Sequence, residues 1–431
     1  MKTASTQSYE ILFSKDRKKY YHVLFKDNSC KDFFIANIPK EKTIILNSKK
    51  SSPSDKELIT IPQFTKELRE KKIDSYYTSS LSSNPLEKWA KKNKIKLLSA
   101  KWAVQEKLED KIFFDKLVQK NKVPAPNSVI PKNKKEIDLI SKFPGVVQVP
   151  HSHGSQGTFF VKNKKEITDL IDKKKVKFPF LYREYINGIP LGVSLIIGKK
   201  EMIFSSMRIQ AISITSKNRN KYLGIQWIKT SYFSKETIQK LNKVLQNLGK
   251  ALQKLKLYGT ASLDFIIKDG EIFLIECNPR LSLSSIQISQ RPELLHGFDF
   301  NEEFIKGLFG KRLSGNKPFI PNTNYEGCTL DLDFFENKLS GNKTKKVHKV
   351  GIYKLGTSGL KYLSDKIEDF AKDDSIFIDH KLDAGKVLKQ DDDYGMAIAH
   401  KSVLKAKNGE FTIDNDSKIL KGIEKLFLEN F

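Results

Sequence analysis

The sequence predicts a small α/β domain followed by a larger α+β region, and three observations carry that reading. In residues 1–100 short apolar runs alternate with helix-length stretches, as in a parallel sheet with helical crossovers. Between residues 143 and 278 apolar runs follow one another through tight Gly, Asn or Asp turns, as in antiparallel sheet. A long amphipathic helix stands among them, with Ile238, Leu241, Leu245, Leu248, Leu252 and Leu255 on one face.

Taken in order, Lys42–Asn47, Ile73–Tyr77 and Ile95–Leu98 read as strands, and Phe64–Lys71 and Leu86–Asn93 as helices. Residues 103–121 read as one helix, ended by Val123, Pro124, Ala125 and Pro126. Phe143–Val149 and Phe159–Val161 read as strands around a Gly/Ser loop, so the strand–loop–helix order of a Walker or dinucleotide loop is absent. Phe180–Ile186, Leu191–Ile197 and Met202–Arg208 continue the strands, and the amphipathic helix runs from Ser234 to Lys256. After a helix over Phe304–Leu308 and a Pro/Asn/Gly-rich connector, residues 326–431 read as an α+β tail. It has helices at Ser364–Phe370 and Ile419–Leu426 and a solvated loop at Asp391, Asp392 and Asp393. The expected divisions are 1–102, 103–310 (with parts at about 103–182 and 183–310) and 326–431.

The net charge of +27 invites a nucleic-acid reading, but only eight of the 77 basic residues are arginine, and the lysines are scattered. A nucleic-acid partner is therefore not expected. Three widely spaced cysteines argue against a disulfide framework. No apolar run reaches membrane-spanning length and the N-terminus lacks an apolar signal core, so a cytoplasmic protein is expected.

The chemistry concentrates in Ser262–Arg280. Two apolar strands flank Asp269-Gly270, with Asp264 in the first and Glu276 and Asn278 in the second. A two-residue turn would put Asp264 and Glu276 on opposite faces. A three-residue Lys268-Asp269-Gly270 loop would gather Asp264, Glu276 and Asn278 on one face with Ile266 and Leu274, leaving Phe273 and Ile275 in the core. The three-residue loop is expected, because it makes a hard-oxygen site suited to Mg²⁺. Cys277 then faces the core. Arg208 and Arg291 are candidates for a substrate carboxylate, and Ser282, Ser284 and Ser285 either line a pocket or cap a helix. His151 and His153 flank Ser152 with no evident carboxylate partner and read as loop residues.

Set in order along residues 40–310, these pieces resemble the ATP-grasp superfamily of carboxylate–amine and carboxylate–thiol ligases. Glu109–Lys116 is similar to the family's opening helix, which implies that Lys111 reaches ATP phosphates. Phe143–Gln148 and the Gly154, Ser155, Gly157, Thr158 loop resemble the strand and lid over the phosphates. Arg183–Ile186 with Gly188 resembles the hinge, which implies adenine contacts from Glu184, Tyr185 and Ile186, with Ile266 nearby. Asp264, Glu276 and Asn278 match the metal ligands and Arg280 the catalytic arginine, in a run closest to that of carbamoyl phosphate synthetase. The resemblance implies an ATP-grasp fold with a pre-ATP-grasp α/β domain, ATP and Mg²⁺ (or Mn²⁺) as cofactors, and an acylphosphate route to an amide between small-molecule substrates. A homodimer is compatible with it. Gln148 departs from the family, which has a basic residue there. The alternatives are a degenerate ATP-binding regulatory module and a polyanion-binding protein.

Overall fold

Strand β1 (Thr3–Thr6) lies at the centre of a five-stranded parallel sheet with β2 (Tyr21–Phe25), β3 (Thr43–Leu46), β4 (Ser75–Tyr77) and β5 (Lys96–Leu98), in the order β3-β2-β1-β4-β5. This is a computed structural model that describes residues 1–431 except 49, 51, 52, 79, 80, 152–156, 215–219, 346, 358, 372, 383, 390, 391, 393, 408, 409, 430 and 431. Strands β3 to β5 are those the sequence marks. The sequence reading missed β1 and β2. The Thr-Ala-Ser-Thr run of β1 has no large side chain, yet it is buried on both sides. Successive strands diverge from β1 in both directions, so the carboxyl ends of β1 and β4 form a topological switch point, where open α/β sheets bind ligands.

The single helix expected over 103–121 is two helices, α1 (Trp102–Glu109) and α2 (Lys111–Lys120). Asp110 breaks the run. Its backbone is extended, and its carboxylate accepts from the amides of Ile112 and Phe113 at 2.8 and 3.2 Å, an N-cap that starts α2. The cap also sets Lys111 at the first position of α2, where the sequence alone placed it mid-helix.

A four-stranded sheet follows, β6 (Ser128–Val129), β7 (Gly145–Gln148), β8 (Thr158–Val161) and β9 (Leu181–Glu184), in the order β6-β9-β7-β8. Beyond it β10 (Ile189–Ile197), β11 (Met202–Ile214), β12 (Asn220–Trp227), β13 (Gly259–Lys268) and β14 (Glu271–Asn278) form antiparallel sheet. Helix α3 (Lys235–Lys254) is capped by Ser234, whose hydroxyl accepts from the Thr237 amide. It lays Leu241, Leu245, Leu248 and Leu252 on this sheet, in one core with Leu191, Val193, Leu195, Leu263 and Phe265. Helix α4 (Leu283–Gln290) begins at Ser282, whose amide donates to Ser285 Oγ at 3.1 Å.

Most of the tail's strands join this framework, and among the described residues only Leu404–Lys407 and Glu410–Ile413 pair as a separate two-stranded sheet. Strands β15 (Cys328–Asp331), β16 (Gly351–Gly356), β17 (Gly359–Ser364), β18 (Ser375–His380) and β19 (Gly395–Ala399) extend the large sheet to ten strands, β14-β13-β10-β11-β12-β15-β19-β18-β16-β17. The helix expected at Ser364–Phe370 is instead the end of β17 and a short 3₁₀ turn at Ile367–Ala371, because residues 359–364 pair with β16. Asp391 and Asp393 lie outside the described residues. The last helix is Lys418–Leu428. The tail returns to the beginning of the chain: Phe13, Phe33 and Phe34 share a core with Phe370 and Phe377, and the Phe33 and Phe377 rings are 4.9 Å apart.

Candidate active site

The hairpin β13–β14 reaches the expected face by a different route. Its turn is the two-residue Asp269-Gly270, both with positive φ (+52° and +77°), as a type I′ turn requires. From it the pairs run Lys268 with Glu271 to Phe265 with Leu274. A bulge at Ile275 then shifts the register, after which Asp264 pairs with Glu276, Leu263 with Cys277 and Ser262 with Asn278. The three-residue loop is thus corrected to a two-residue turn plus a bulge. The bulge also reverses one assignment: Leu274 is fully buried in the core, and the half-buried Phe273 stands opposite Ile266.

Asp264 and Glu276 begin a row that crosses the sheet. Gly192 on β10 pairs with Asp264 on one side and Arg208 on the other, and Arg208 pairs with Trp227. A Cβ on Gly192 would lie 3.0 Å from Arg208 Cζ and 3.0 Å from Asp264 Oδ1, so glycine lets the guanidinium cross toward the carboxylate. Arg208 is 3% exposed and donates to Ser194 Oγ at 3.2 Å and to Ser262 Oγ. It lies within the sheet's polar layer, a position that suits balancing Asp264 better than receiving a substrate. Ser194 Oγ is in turn 3.2 Å from Ser284 Oγ, so Ser284 belongs to this layer.

Around the row the charges alternate. Lys111 Nζ is 3.3 Å from Glu276 Oε1, although Lys111 is buried. Asn278 Nδ2 donates to Asp264 Oδ2 at 3.1 Å. Arg280 donates through Nη2 to Asn278 Oδ1 at 3.2 Å and through Nε to Glu109 Oε1 at 3.3 Å. Burial pushes the Asp264 carboxyl up to about 6, against the pull of Arg208 and with a further push from Glu276. Cys277 is core, and burial holds its thiol well above its ordinary value, which suits packing and not nucleophilic chemistry.

The small sheet is bolted to this hairpin by Arg183. Its Nε and Nη2 donate to Asp115 Oδ1 at 3.1 and 2.9 Å, and its Nη1 to the Ile275 carbonyl, in the bulge, at 2.6 Å. Ser128 and Gln119 donate to the other Asp115 oxygen at 2.7 and 2.8 Å. Sequence reasoning placed Arg183 only within the hinge run and did not find Asp115. Nothing local marks an aspartate inside an amphipathic helix as the partner of an arginine 68 residues away.

Along the hinge, Glu184 accepts from Asn127 Nδ2 at 2.8 Å. The Tyr185 amide donates to the Pro144 carbonyl at 3.1 Å, so its N–H is committed within the fold and Ile186 follows as the next backbone group. Gly188 is packed so closely that a Cβ would meet Ile266 Cγ2 and the Ile267 carbonyl, both at 2.6 Å. Gln148 is buried on β7, with Nε2 3.5 Å from Thr158 Oγ1. The Gly157 carbonyl accepts from Val149 N at 2.9 Å. Ser152, His153, Gly154 and Ser155 lie outside the described residues. His151 does have a carboxylate neighbour, contrary to the sequence reading: its Nε2 is 3.8 Å from Asp110 Oδ2. Arg291 lies apart from the row. It donates to His400 Nδ1 at 3.1 Å and stacks 5.1 Å from the Tyr325 ring centre, tying α4 to the tail. His400 Nδ1 accepts this bond, because burial favours the neutral imidazole by lowering its pKa to about 4.

The site therefore lies where a small sheet is fastened to an antiparallel sheet whose edge hairpin carries paired carboxylates and an amide, with an arginine just past its end. Residues 108–284 match the ATP-grasp domain family, and the chain carries an ATP-grasp domain. Over 224 residues, 51% of this chain and 20% of the relative, it is 20% identical to the carbamoyl phosphate synthase arginine-specific large chain of Geobacillus stearothermophilus. Over 203 residues, 46% of this chain and 65% of the relative, it is 24% identical to a D-alanine--D-alanine ligase of Francisella philomiragia. The chain thus spans less than two thirds of the length of either relative. Among solved structures, the biotin carboxylase domain of 2-oxoglutarate carboxylase from Hydrogenobacter thermophilus, in complex with MgADP, ADP and bicarbonate, superposes with a TM-score of 0.64 at 14% identity. The match covers 93% of this chain and 86% of that one. An ADP complex of N5-carboxyaminoimidazole ribonucleotide synthetase superposes with a TM-score of 0.58 at 14% identity, covering 99% and 97%. The fold is therefore ATP-grasp along nearly the whole chain.

Proposed function

We propose that this protein is an ATP-dependent ligase that joins a small carboxylate to an amine, releasing ADP and phosphate. The observation that carries the reading is the convergence of Asp264, Glu276 and Asn278, on one hairpin, with Lys111 from α2 and Arg280 just past the hairpin's end. Among the described residues no three His, Cys, Asp or Glu side chains converge on a metal position. Two carboxylates and an amide oxygen nevertheless fit Mg²⁺, which keeps waters and takes its remaining ligands from phosphates. Bound there, Mg²⁺ would neutralise phosphate charge.

The chain's own residues supply the rest. Lys111, buried and held by Glu276, keeps its charge and can pair with a phosphate when Glu276 turns to a metal. Arg280 offers a planar fork to the negative charge that develops on the carbonyl oxygen of the attacked group, and Glu109 orients that fork. Arg208 keeps Asp264 from carrying its charge unbalanced in the sheet. At Gln148 an amide stands where the family has a basic side chain. It contributes a hydrogen bond and no charge, a deficit of about 1–3 kcal/mol in phosphate binding.

The test is ADP and phosphate release from MgATP with pooled carboxylates, with and without amines, and Glu276→Gln as control. Release that depends on one pool and vanishes in the control supports the ligase. MgATP binding without release from any pool would overturn it in favour of a regulatory nucleotide-binding module, with Gln148 at its centre.

A further inference from the structure

We propose that a primary ammonium group, that of the amine substrate, is recognised in a cavity between α1 and the loop after β4. The inference rests on the ligase reading above and deepens it. The cavity has a volume of about 120 Å³ and is lined by Leu81, Ser82, Trp102, Glu106, Glu109 and His151, with Gln105 at its floor. It lies at the carboxyl end of β4, beside the topological switch point.

Two independent features point to a ligand. Ser82 is only 5% exposed, and its hydroxyl is buried with no hydrogen-bond partner among the described residues. Buried polar atoms almost always find partners, so an orphan in a polar recess marks a group that arrives with the ligand. The second is charge. Among the described residues the lining carries two carboxylates, Glu106 and Glu109, and no lysine or arginine. Glu109 is engaged by Arg280, while Glu106 is exposed at the mouth. An anionic ligand would meet unbalanced repulsion from Glu106. An ammonium would meet a carboxylate, a serine hydroxyl and the Trp102 ring, which is suited to a cation.

The cavity is also tied to the reacting centre. Gln105, 2% exposed, accepts from the Ser82 amide at 2.9 Å and donates to the Pro279 carbonyl at 2.7 Å. A smaller cavity shares Gln105 and is lined by Pro279 and Arg280. Arg280 stands between Glu109 on this side and Asn278 on the metal side. An amine held here lies beside Glu109, whose carboxylate is joined through Arg280 to Asn278. To attack the activated carboxyl carbon the ammonium gives up a proton, to Glu106 or to water, and the free amine's lone pair then forms the C–N bond as phosphate leaves.

The experiment uses the full chain and three small probes of similar shape: ethanolamine (cationic), ethylene glycol (neutral) and glycolate (anionic). Each is titrated by ligand-observed NMR with saturating MgADP, and MgADP affinity is measured separately by calorimetry. Ethanolamine is expected to bind at least tenfold more tightly than the other two. Glu106→Gln should weaken it about tenfold and Ser82→Ala severalfold, both with MgADP affinity unchanged. Glycolate binding as tightly as ethanolamine, or ethanolamine affinity unmoved in both variants, would overturn the proposal while MgADP binding stays intact. Failure of the native chain to bind MgADP at all would instead overturn the ligase reading, and this proposal with it.

Discussion

On the proposed reading, folding and metal binding want opposite protonation states of Asp264. Burial raises its carboxyl to about 6, so the folded chain holds this proton more tightly than the unfolded chain does. A raised pKa contributes stability that is complete below the ordinary carboxylate range and is lost as pH rises through about 6. A metal ion needs the deprotonated form. MgADP should therefore raise the melting temperature markedly at pH 7.5 and much less at pH 5.5, as read by thermal shift. An MgADP effect that is flat across this range would remove Asp264 from the metal site. Arg280→Ala and Glu276→Gln should each lower turnover by about 10²-fold or more while leaving the circular dichroism of the ligand-free chain nearly unchanged. Gly192→Ala tests the charge row: its Cβ, 3.0 Å from both Arg208 and Asp264, must push them apart. The expected result is destabilisation of about 1–3 kcal/mol with weakened MgADP binding. Urea melts and calorimetry would read both.

At the scale of elements, the strongest local signals were legible and the long-range ones were not. The helix Lys235–Lys254 announces itself through leucine spacing and the Ser234 cap. The hairpin announces itself through Asp269-Gly270, and its polar triad was found on the right face. The bulge at Ile275 could not be read, because what fixes it is remote: Arg183 takes the Ile275 carbonyl, and the Leu274 amide donates to the Pro124 carbonyl at 2.9 Å. Strand β1 hid for the opposite reason, since its small residues carry no hydrophobic pattern even though the sheet is built around it. The Arg183–Asp115 pair makes the same point energetically. Both residues are at most 3% exposed, and removing one partner leaves a buried charge. Arg183→Met should cost about 3–5 kcal/mol in urea unfolding. A loss below 1 kcal/mol would mean that the pair does not fasten the small sheet.

For the whole molecule, the tail is part of the sheet that holds the site. Strand β15 pairs with β12 through Cys328, Thr329 and Leu330, and β12 is the strand that places Trp227 beside Arg208. Deleting residues 326–431 would bare the edge of β12 and strip the aromatic cover from Phe13, Phe33 and Phe34. The expected outcome is an aggregated product on size-exclusion chromatography. A monomeric truncated chain that binds MgADP would show the tail to be dispensable. The sequence suggested a separate small domain here because the connector at 311–325 is rich in Pro, Asn and Gly. Composition marks where a chain turns, but it carries no information about which edge the next strand will join.

The hairpin's register behaves as a parity check. The two-residue turn leaves Asp264 and Glu276 out of phase by one position, and the single extra residue at Ile275 cancels that offset. Losing or gaining one residue between Phe265 and Glu276 would send one carboxylate to the wrong face, whereas gaining or losing two would restore agreement. Length variation in this segment should therefore be tolerated only in even steps, however permissive the exposed turn looks, since an odd step would undo the site without changing any of the residues that compose it.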